Sequence, residues 1–340
     1  MCKLLTNISV VALLLLVMGQ ESLAQKPKSL TVAFYNVENL FDTLDNPAIN
    51  DEDFLPQGKL NWNKMRFDIK LNRIAKVVNS IEELNKPDIV GLCEVENKAV
   101  LTDLVSLKSM DKFGVIHFDS PDERGIDVAL LYRKKIAKVL NAKPYRINFP
   151  NDPNDRTRDI LLASLKIGKD TLHTIVCHLP SRRGGADKTA ESRLIAALVA
   201  RHIVDSIQKT SPLAKIIVMG DMNDEPTDPS LLEGLQAKAT AEEAKNGKLF
   251  NPMAALKANG EGSYMYNKKY DMIDNMIVSE GLLSGKGFQY VEKSAAIFKP
   301  DWLQEQNEKY KGSPWRTYAG SKYLGGYSDH FPVYLKLKIN

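Results

Sequence analysis

Two short runs of apolar, largely β-branched residues each stop at a cluster of acidic and amide side chains. Ile216-Ile217-Val218-Met219 runs into Gly220-Asp221-Met222-Asn223-Asp224, and Asp88-Ile89-Val90-Gly91 runs into Leu92-Cys93-Glu94-Val95-Glu96-Asn97. A third cluster, Tyr327-Ser328-Asp329-His330-Phe331-Pro332, stands beside another such run near the C-terminus. Runs of this kind, bounded by polar residues, read as buried strands. The chain must therefore fold around sheet strands that deliver carboxylates, amides and an imidazole to a sheet rim.

Further strand-like runs lie at Leu30–Tyr35, Val128–Tyr132, Ile160–Leu165, Thr174–Cys177, Ile273–Val278 and Val333–Leu337. Helical spacing is clear in Phe67–Leu84, where Phe67, Leu71, Ile74, Val78 and Ile81 share one stripe. A second helix is expected from about Ala190 to Ile207, carrying Leu194, Ala197, Leu198, Arg201 and Val204. By pattern alone the fold is α/β or α+β. Asp42–Asn63 is polar and turn-rich. A structural Ca²⁺ there is conceivable, but the acidic spacing does not match an EF-hand, and the segment reads as a surface loop. Asn141–Asp155 and Phe288–Tyr318 also read as long loops, the kind of segment that often carries substrate contacts. There is no internal repeat.

The 340 residues, 44% hydrophobic and 26% charged, allow a sizeable core. Lys3, the apolar stretch Ile8–Met18 and the small residues Ser22-Leu23-Ala24 describe a secretory signal peptide cut after Ala24. The expected organisation is a leader over 1–24 and one domain over 25–340, with a secreted or periplasmic destination. The apolar stretch is short for a membrane span, and Cys2 precedes it, so it is not a lipobox cysteine. After cleavage Cys93 and Cys177 remain, each directly before a candidate site residue. If neighbouring residues point to opposite faces, both thiols face away from the site, as buried core thiols rather than a bridge. The net charge of +4 is compatible with a polyanionic partner.

Three polar clusters in the order E, D-x-N, S-D-H suit phosphodiester hydrolysis. That reaction needs a cation to neutralise phosphoryl oxygens, a base for water, and donors for the transition state. The clusters offer oxygens, which suit Mg²⁺ with Mn²⁺ as substitute, and no Cys/His set with zinc spacing. Asp221 and Asn223, two apart on extended chain, share a face. Asp221 can then ready water or bind a second metal, and Asn223 can donate to a phosphoryl oxygen. An Asx-turn reading suits Asp224-Glu225-Pro226 better than Asp221. Asp329 and His330 face opposite ways unless the backbone kinks.

With Phe34-Tyr35-Asn36-Val37-Glu38-Asn39-Leu40-Phe41-Asp42 at the start, five segments stand in the order of the endonuclease/exonuclease/phosphatase superfamily, which the chain resembles over nearly all its mature length. The resemblance implies an α+β, four-layer α/β/β/α sandwich of two packed mixed sheets with helices outside. It implies metal contacts from Glu94, Asn36 and Asp329, and a phosphate contact from His330 oriented by Asp274, with Asp271 as competitor. His178 stands where deoxyribonuclease-like members carry a second acid/base. Asp127 is a candidate to orient it. Arg158 is similar to a phosphate-contacting arginine, and Arg182, beside Arg183 and Gly184-Gly185, is a candidate second clamp. Glu38 and Glu96 are expected to face solvent or support the ligands. His117, His173 and His202 are assigned no chemistry.

The expected activity is nuclease action on DNA or RNA, through phosphate contacts rather than base readout. Against it, no basic stripe interleaved with aromatics is found. The alternatives are a phospholipid hydrolase of the sphingomyelinase type, a small-phosphoester hydrolase, or an inactive binding module on the same scaffold. Inositol phosphatases are less similar, because Asp224-Glu225-Pro226 follows the G-D-x-N segment here. No protein partner is evident.

Overall fold

A computed structural model of the chain describes residues 29–82, 86–152, 154–284 and 286–339; the expected leader lies outside them. In the N-terminal half the strands are β1 (Ser29–Leu40), β2 (Ile89–Val95), β3 (Phe113–His117), β4 (Asp127–Arg133), β5 (Lys138–Tyr145), β6 (Ile160–Ile167) and β7 (Asp170–His178). There follow β8 (Lys215–Asp221), β9 (Ala237–Lys238), β10 (Leu249–Phe250), β11 (Tyr264–Tyr266), β12 (Lys269–Asp271) and β13 (Asp274–Ser279). The last are β14 (Phe288–Tyr290), β15 (Ala296–Ile297), β16 (Tyr318–Ala319), β17 (Lys322–Tyr323) and β18 (Val333–Ile339). The helices are α1 (Lys64–Ser80), α2 (Lys98–Ser106), α3 (Ala186–Thr210), α4 (Met253–Ala258) and α5 (Glu280–Leu283).

Two sheets dominate. The first runs β14-β18-β1-β2-β4-β3, with β15 also on β18, and the second runs β5-β6-β7-β8-β13-β10-β9. Both are mixed: β1 is parallel to β2 and β7 to β8, while β2–β4 and β8–β13 are antiparallel. Between the sheets lies a core that includes Phe34, Leu130, Leu165, Met219, Met276 and Leu335. The outer face of the first sheet packs under α1 and α2, with Phe67, Leu71, Ile74 and Val78 contributing. The outer face of the second packs under α3. This is the expected four-layer α+β sandwich. Gly91 marks how closely the sheets approach: a Cβ there would sit 2.8 Å from the Met219 sulfur.

Each strand-like run of the sequence coincides with a strand, Asp88 and Ile273 falling one residue before β2 and β13. Four expectations shift. Helix α1 begins at Lys64 because Asn63 caps it, its side chain accepting from Arg66 N. Helix α3 spans Ala186–Thr210, and Leu198 is exposed. The face on the sheet is built from Ala196, Ala197 and Ala200, small residues that let the helix lie close. Asn141–Tyr145 is not loop but part of edge strand β5, whose mostly exposed residues show no alternation to read. The Phe288–Tyr318 region carries β14 and β15, both paired with β18. Among the described residues no helix is long and apolar enough to cross a membrane.

Candidate active site

The site lies where the C-terminal ends of the parallel pairs β1/β2 and β7/β8 face each other. In the second sheet the register is regular: Asp221 at the end of β8 is paired with His178 of β7 on one side and Asp274 of β13 on the other. In the first sheet the register breaks. Pairing shifts between Asn36 and Leu40 and between Cys93 and Val95, and Glu38, Asn39 and Glu94 take φ of 51°, 51° and 60°. These are bulges with left-handed backbone, strained for glutamate, of a kind that re-aims side chains beside active sites.

Asn36 bridges the two rims. Its Nδ2 donates to Asp221 Oδ2 (3.0 Å) and to Glu94 Oε1 (3.2 Å). Its Oδ1 accepts from Glu38 N at 2.9 Å. Asn36 thus presents amide hydrogens, not its oxygen, to the carboxylates, contrary to a direct metal contact through Oδ1. Nor does it leave the first strand, as it lies within β1. Glu94 is further held by Asn39 N at 2.9 Å.

His330 Nδ1 lies 2.7 Å from Asp274 Oδ2, and its Nε2 is 3.8 Å from Asp221 Oδ2. Burial opposes charge on this ring, but Asp274 and Asp221 outweigh it and hold its pKa well above the ordinary value. Asp274 is itself fixed by Ser263 Oγ at 2.5 Å. The backbone does kink here: Ser328 Oγ donates to Asn36 O and accepts from His330 N. Asp329, partly exposed, ends 3.9 Å from His330 Nε2 and 3.9 Å from Arg316. Asp271 lies away from His330, 3.7 Å from Arg182.

His178 is the opposite case. It is buried, its Nε2 stands 3.7 Å from Asp221 Oδ2 and 4.0 Å from Glu94 Oε1, and burial followed by the charge of Arg158 holds its pKa well below the ordinary value. Its Nδ1 has no hydrogen-bond partner among the described residues. An orphaned acceptor costs less than an orphaned N–H, so the neutral ring carries its proton on Nε2, towards the carboxylates. Asp221, between the two rings, is raised to about 7, chiefly by burial.

Several expected contacts take other roles. Asp127 does not reach His178; it pairs with His117 Nε2 (2.9 Å) and accepts from Ser120 N. Register explains this, since His117 of β3 lies opposite Ala129 of the same strand as Asp127. Arg158 is buried, with one nitrogen on Asp122 and another on the Leu179 carbonyl; it backs His178 rather than lying open to a phosphate. Arg182 is spent on the Asn223 carbonyl and on Asp224, Asp228 and Asp271, so it is not free to clamp a phosphate. The Asx-turn is made by Asp221 itself, whose Oδ1 accepts from Asn223 N. Asn223, at φ 49°, gives its amide to the Leu179 carbonyl. Asp224 is buried against Arg193 at 2.7 Å.

Glu38 and Glu96 are buried, not solvent-facing. Glu38 accepts from Thr317 N and lies 3.9 Å from buried Lys70, whose Nζ reaches Thr317 Oγ1 and the Tyr327 carbonyl. This knot ties residues 317–327 to the β1 bulge. Burial raises Glu38 to about 7 and lowers Lys70 to about 8. Glu96 accepts from Asp42 N and anchors the start of the Asp42–Asn63 loop.

The thiols remain free and buried, Cys93 between the sheets and Cys177 under α3. Cys93 does not face away, however: its sulfur lies within 4.8 Å of ligand atoms of His178 and Asp221. Strict alternation fails because of the adjacent bulge at Glu94. Burial raises the pKa of this thiol well above its ordinary value. Glu94, Asp221 and Asp329 add hard carboxylate oxygens of the kind a divalent cation takes, while the ligand atoms within 4.8 Å of one another at this site are those of Cys93, His178 and Asp221 and of Asp221, Asp274 and His330. Tyr264, tilted over His330 with ring centroids 4.9 Å apart, Lys70 and Arg316 were not legible as site neighbours in the sequence. Tyr264 and Arg316 stand in segments without periodicity, and Lys70 lies on a helix whose spacing marks only its apolar stripe.

A profile described as "Endonuclease/Exonuclease/phosphatase family" matches residues 31–339. The chain belongs to this family. Its members are phosphoester hydrolases that typically use a divalent metal. No curated protein sequence matches the chain. Among solved structures, a mannosyl-6-phosphatase of Bacteroides thetaiotaomicron is 16% identical with TM-score 0.56, covering 91% of this chain and 99% of its own. The human Nocturnin catalytic domain with bound sulfate is 17% identical with TM-score 0.53, covering 92% and 95%. D. rerio TDP2 complexed with single strand DNA product is 16% identical with TM-score 0.51, covering 92% and 99%. At these identities the likeness carries the fold.

Proposed function

We propose that this family member is an exported, Mg²⁺-dependent phosphodiesterase that hydrolyses nucleic acid by direct attack of water. The observation that carries the chemistry is the pair of imidazoles flanking Asp221, with Nε2 atoms 3.8 and 3.7 Å from the same carboxylate oxygen. One is kept charged by Asp274, the other kept neutral by burial. A base with a pKa near neutral between two N–H donors suits proton removal from water and stabilisation of a charged phosphoryl group.

In this reading Asp221 orients and deprotonates the water. His330, locked by Asp274, donates from Nε2 to a phosphoryl oxygen as negative charge grows there. His178, neutral, gives a hydrogen bond from its Nε2–H on the other side, to a second phosphoryl oxygen or to the leaving oxygen, without transferring the proton. Glu94 and Asp329 would hold the Mg²⁺, or Mn²⁺ in its place, which when bound supplies charge neutralisation at the phosphoryl group. Asn36 positions Glu94 and Asp221, and Asn223 closes the turn that aims Asp221. Export rests on the basic, apolar and small-residue pattern of the first 24 residues.

The test uses the mature chain and a His330→Ala variant, each given supercoiled plasmid and sphingomyelin, with Mg²⁺ and with EDTA. Nicking that requires both metal and His330 is expected. Choline-phosphate release with intact plasmid would reassign the chain to lipid hydrolysis, and silence on both would point to a small phosphoester or to an inactive scaffold.

A further inference from the structure

Beside the site, the turn of the β11–β12 hairpin and residues 305–324 enclose a cleft of about 710 Å³. Its walls include Lys268 from the hairpin and Lys309, Tyr310, Lys311 and Arg316 from the facing segment, with the acids Glu305 and Glu308. Tyr270 Oη donates to the Gly312 carbonyl at 2.6 Å, tying the walls together. Arg316, one of its lining residues, adjoins the catalytic rim. It lies 3.9 Å from Asp329, and Tyr264, which begins the hairpin, covers His330. Tyr266 and Tyr310 are 61% and 48% exposed, unusual for such large rings, and Lys309 sits 5.0 Å over the Tyr310 ring. The basic–aromatic stripe missing from any one sequence segment is thus assembled from two, Tyr264–Tyr270 and Lys309–Arg316.

We infer that this cleft binds the single-stranded part of a nucleic-acid substrate adjoining the scissile phosphate. The inference rests on the nucleic-acid reading of the site and adds where, and in what form, the strand lies. Four cations against two acids attract phosphates spaced along a backbone. Exposed tyrosine rings offer platforms on which any base can stack, and a duplex hides those base faces. The volume falls within the roughly 300–1,000 Å³ of pockets that enclose ligands of several rings, well beyond a phosphoryl group alone. The strand runs from His330 past Arg316, with its phosphates on Lys268, Lys309 and Lys311 and a base against Tyr310.

The experiment compares wild type, the double variant Lys309→Glu/Lys311→Glu, and Tyr310→Ala, all exposed positions whose replacement leaves the fold intact. Each is given a 12-residue oligothymidylate and bis(p-nitrophenyl) phosphate in Mg²⁺ over a range of salt. Relative to the small diester, kcat/KM on the oligonucleotide is expected to fall more than tenfold in the double variant. Its dependence on log salt flattens by about 1.4, as two phosphate contacts to a single strand would give. Tyr310→Ala loses about tenfold, one stacking platform. Variants that cleave the oligonucleotide with wild-type kinetics and salt slope overturn the cleft assignment and leave the function standing. A wild-type chain that hydrolyses the small diester but not the oligonucleotide overturns the nucleic-acid reading, and the cleft with it.

Discussion

The two sheet rims that meet at the site are built differently. The rim of the second sheet is regular: His178, Asp221 and Asp274 stand side by side through unbroken ladders. The rim of the first is bulged, with left-handed backbone at Glu38, Asn39 and Glu94. The regular rim, with His330 joined to it through Asp274 from the segment before β18 of the first sheet, carries the proposed proton-transfer and phosphate-contacting machinery, and the bulged rim holds Glu94 and Asn36. Ladder register is a simple way to align side chains within one sheet. Aiming side chains across to another sheet takes strain, paired in this molecule with buried hydrogen bonds from Asn36, Asn39 and Ser328.

Changes at the regular rim should cost most. Asp221→Asn should lower kcat by about 10³- to 10⁴-fold in a steady-state assay, with little change in fold, because the amide still accepts from Asn223 N. His330→Ala should cost about 10²- to 10³-fold. Asp274→Asn should cost less at neutral pH but move the pH profile. His330 works as the charged ring, and Asp274 holds its pKa up, so activity is present below that pKa and lost as pH rises through it. Removing the carboxylate charge lowers the pKa, and the alkaline limb of kcat should shift to lower pH; an unmoved limb would remove the pairing from the account.

At the bulged rim the effects should be smaller and of a different kind. Asn36→Ala should raise the Mg²⁺ concentration needed for half-maximal activity by about 10- to 100-fold, the usual effect of losing a group that orients a metal ligand. A metal titration of activity reads this. Glu94→Gly should nearly abolish activity yet stabilise the fold by about 1 kcal/mol in urea unfolding. Glycine accepts positive φ freely, and one like charge leaves the site. A destabilised Glu94→Gly protein would show that the bulge is held by Glu94 rather than strained against it.

The same contrast explains what was legible in the sequence. Most of the long core strands could be read from their apolar runs, β3 being an exception, and the pairing of Asp274 with His330 was expected. What depends on alternation failed at the bulge: Cys93 lies at the floor of the site, beside His178 and Asp221. Long-range polar matching was also hidden. Asp127 found His117, and Arg182 found four acceptors of its own, because each fixes its partner through tertiary packing that leaves no local spacing. The edge strand β5, only half-buried and interrupted by a register shift between Val139 and Asn141, and the split basic–aromatic cleft left no clear local signal either.

The most direct test of the account is the charge state of the two site histidines, read by long-range ¹H–¹⁵N correlation spectra of the imidazole nitrogens of the mature chain between about pH 5 and 9, the range in which histidine charge is ordinarily decided. The account predicts that His330 stays an imidazolium to a pH well above the ordinary histidine value, and that His178 gives up its charge well below that value, its remaining proton on Nε2. Two rings titrating together near the ordinary histidine value, or a neutral His330 with a charged His178, would contradict it.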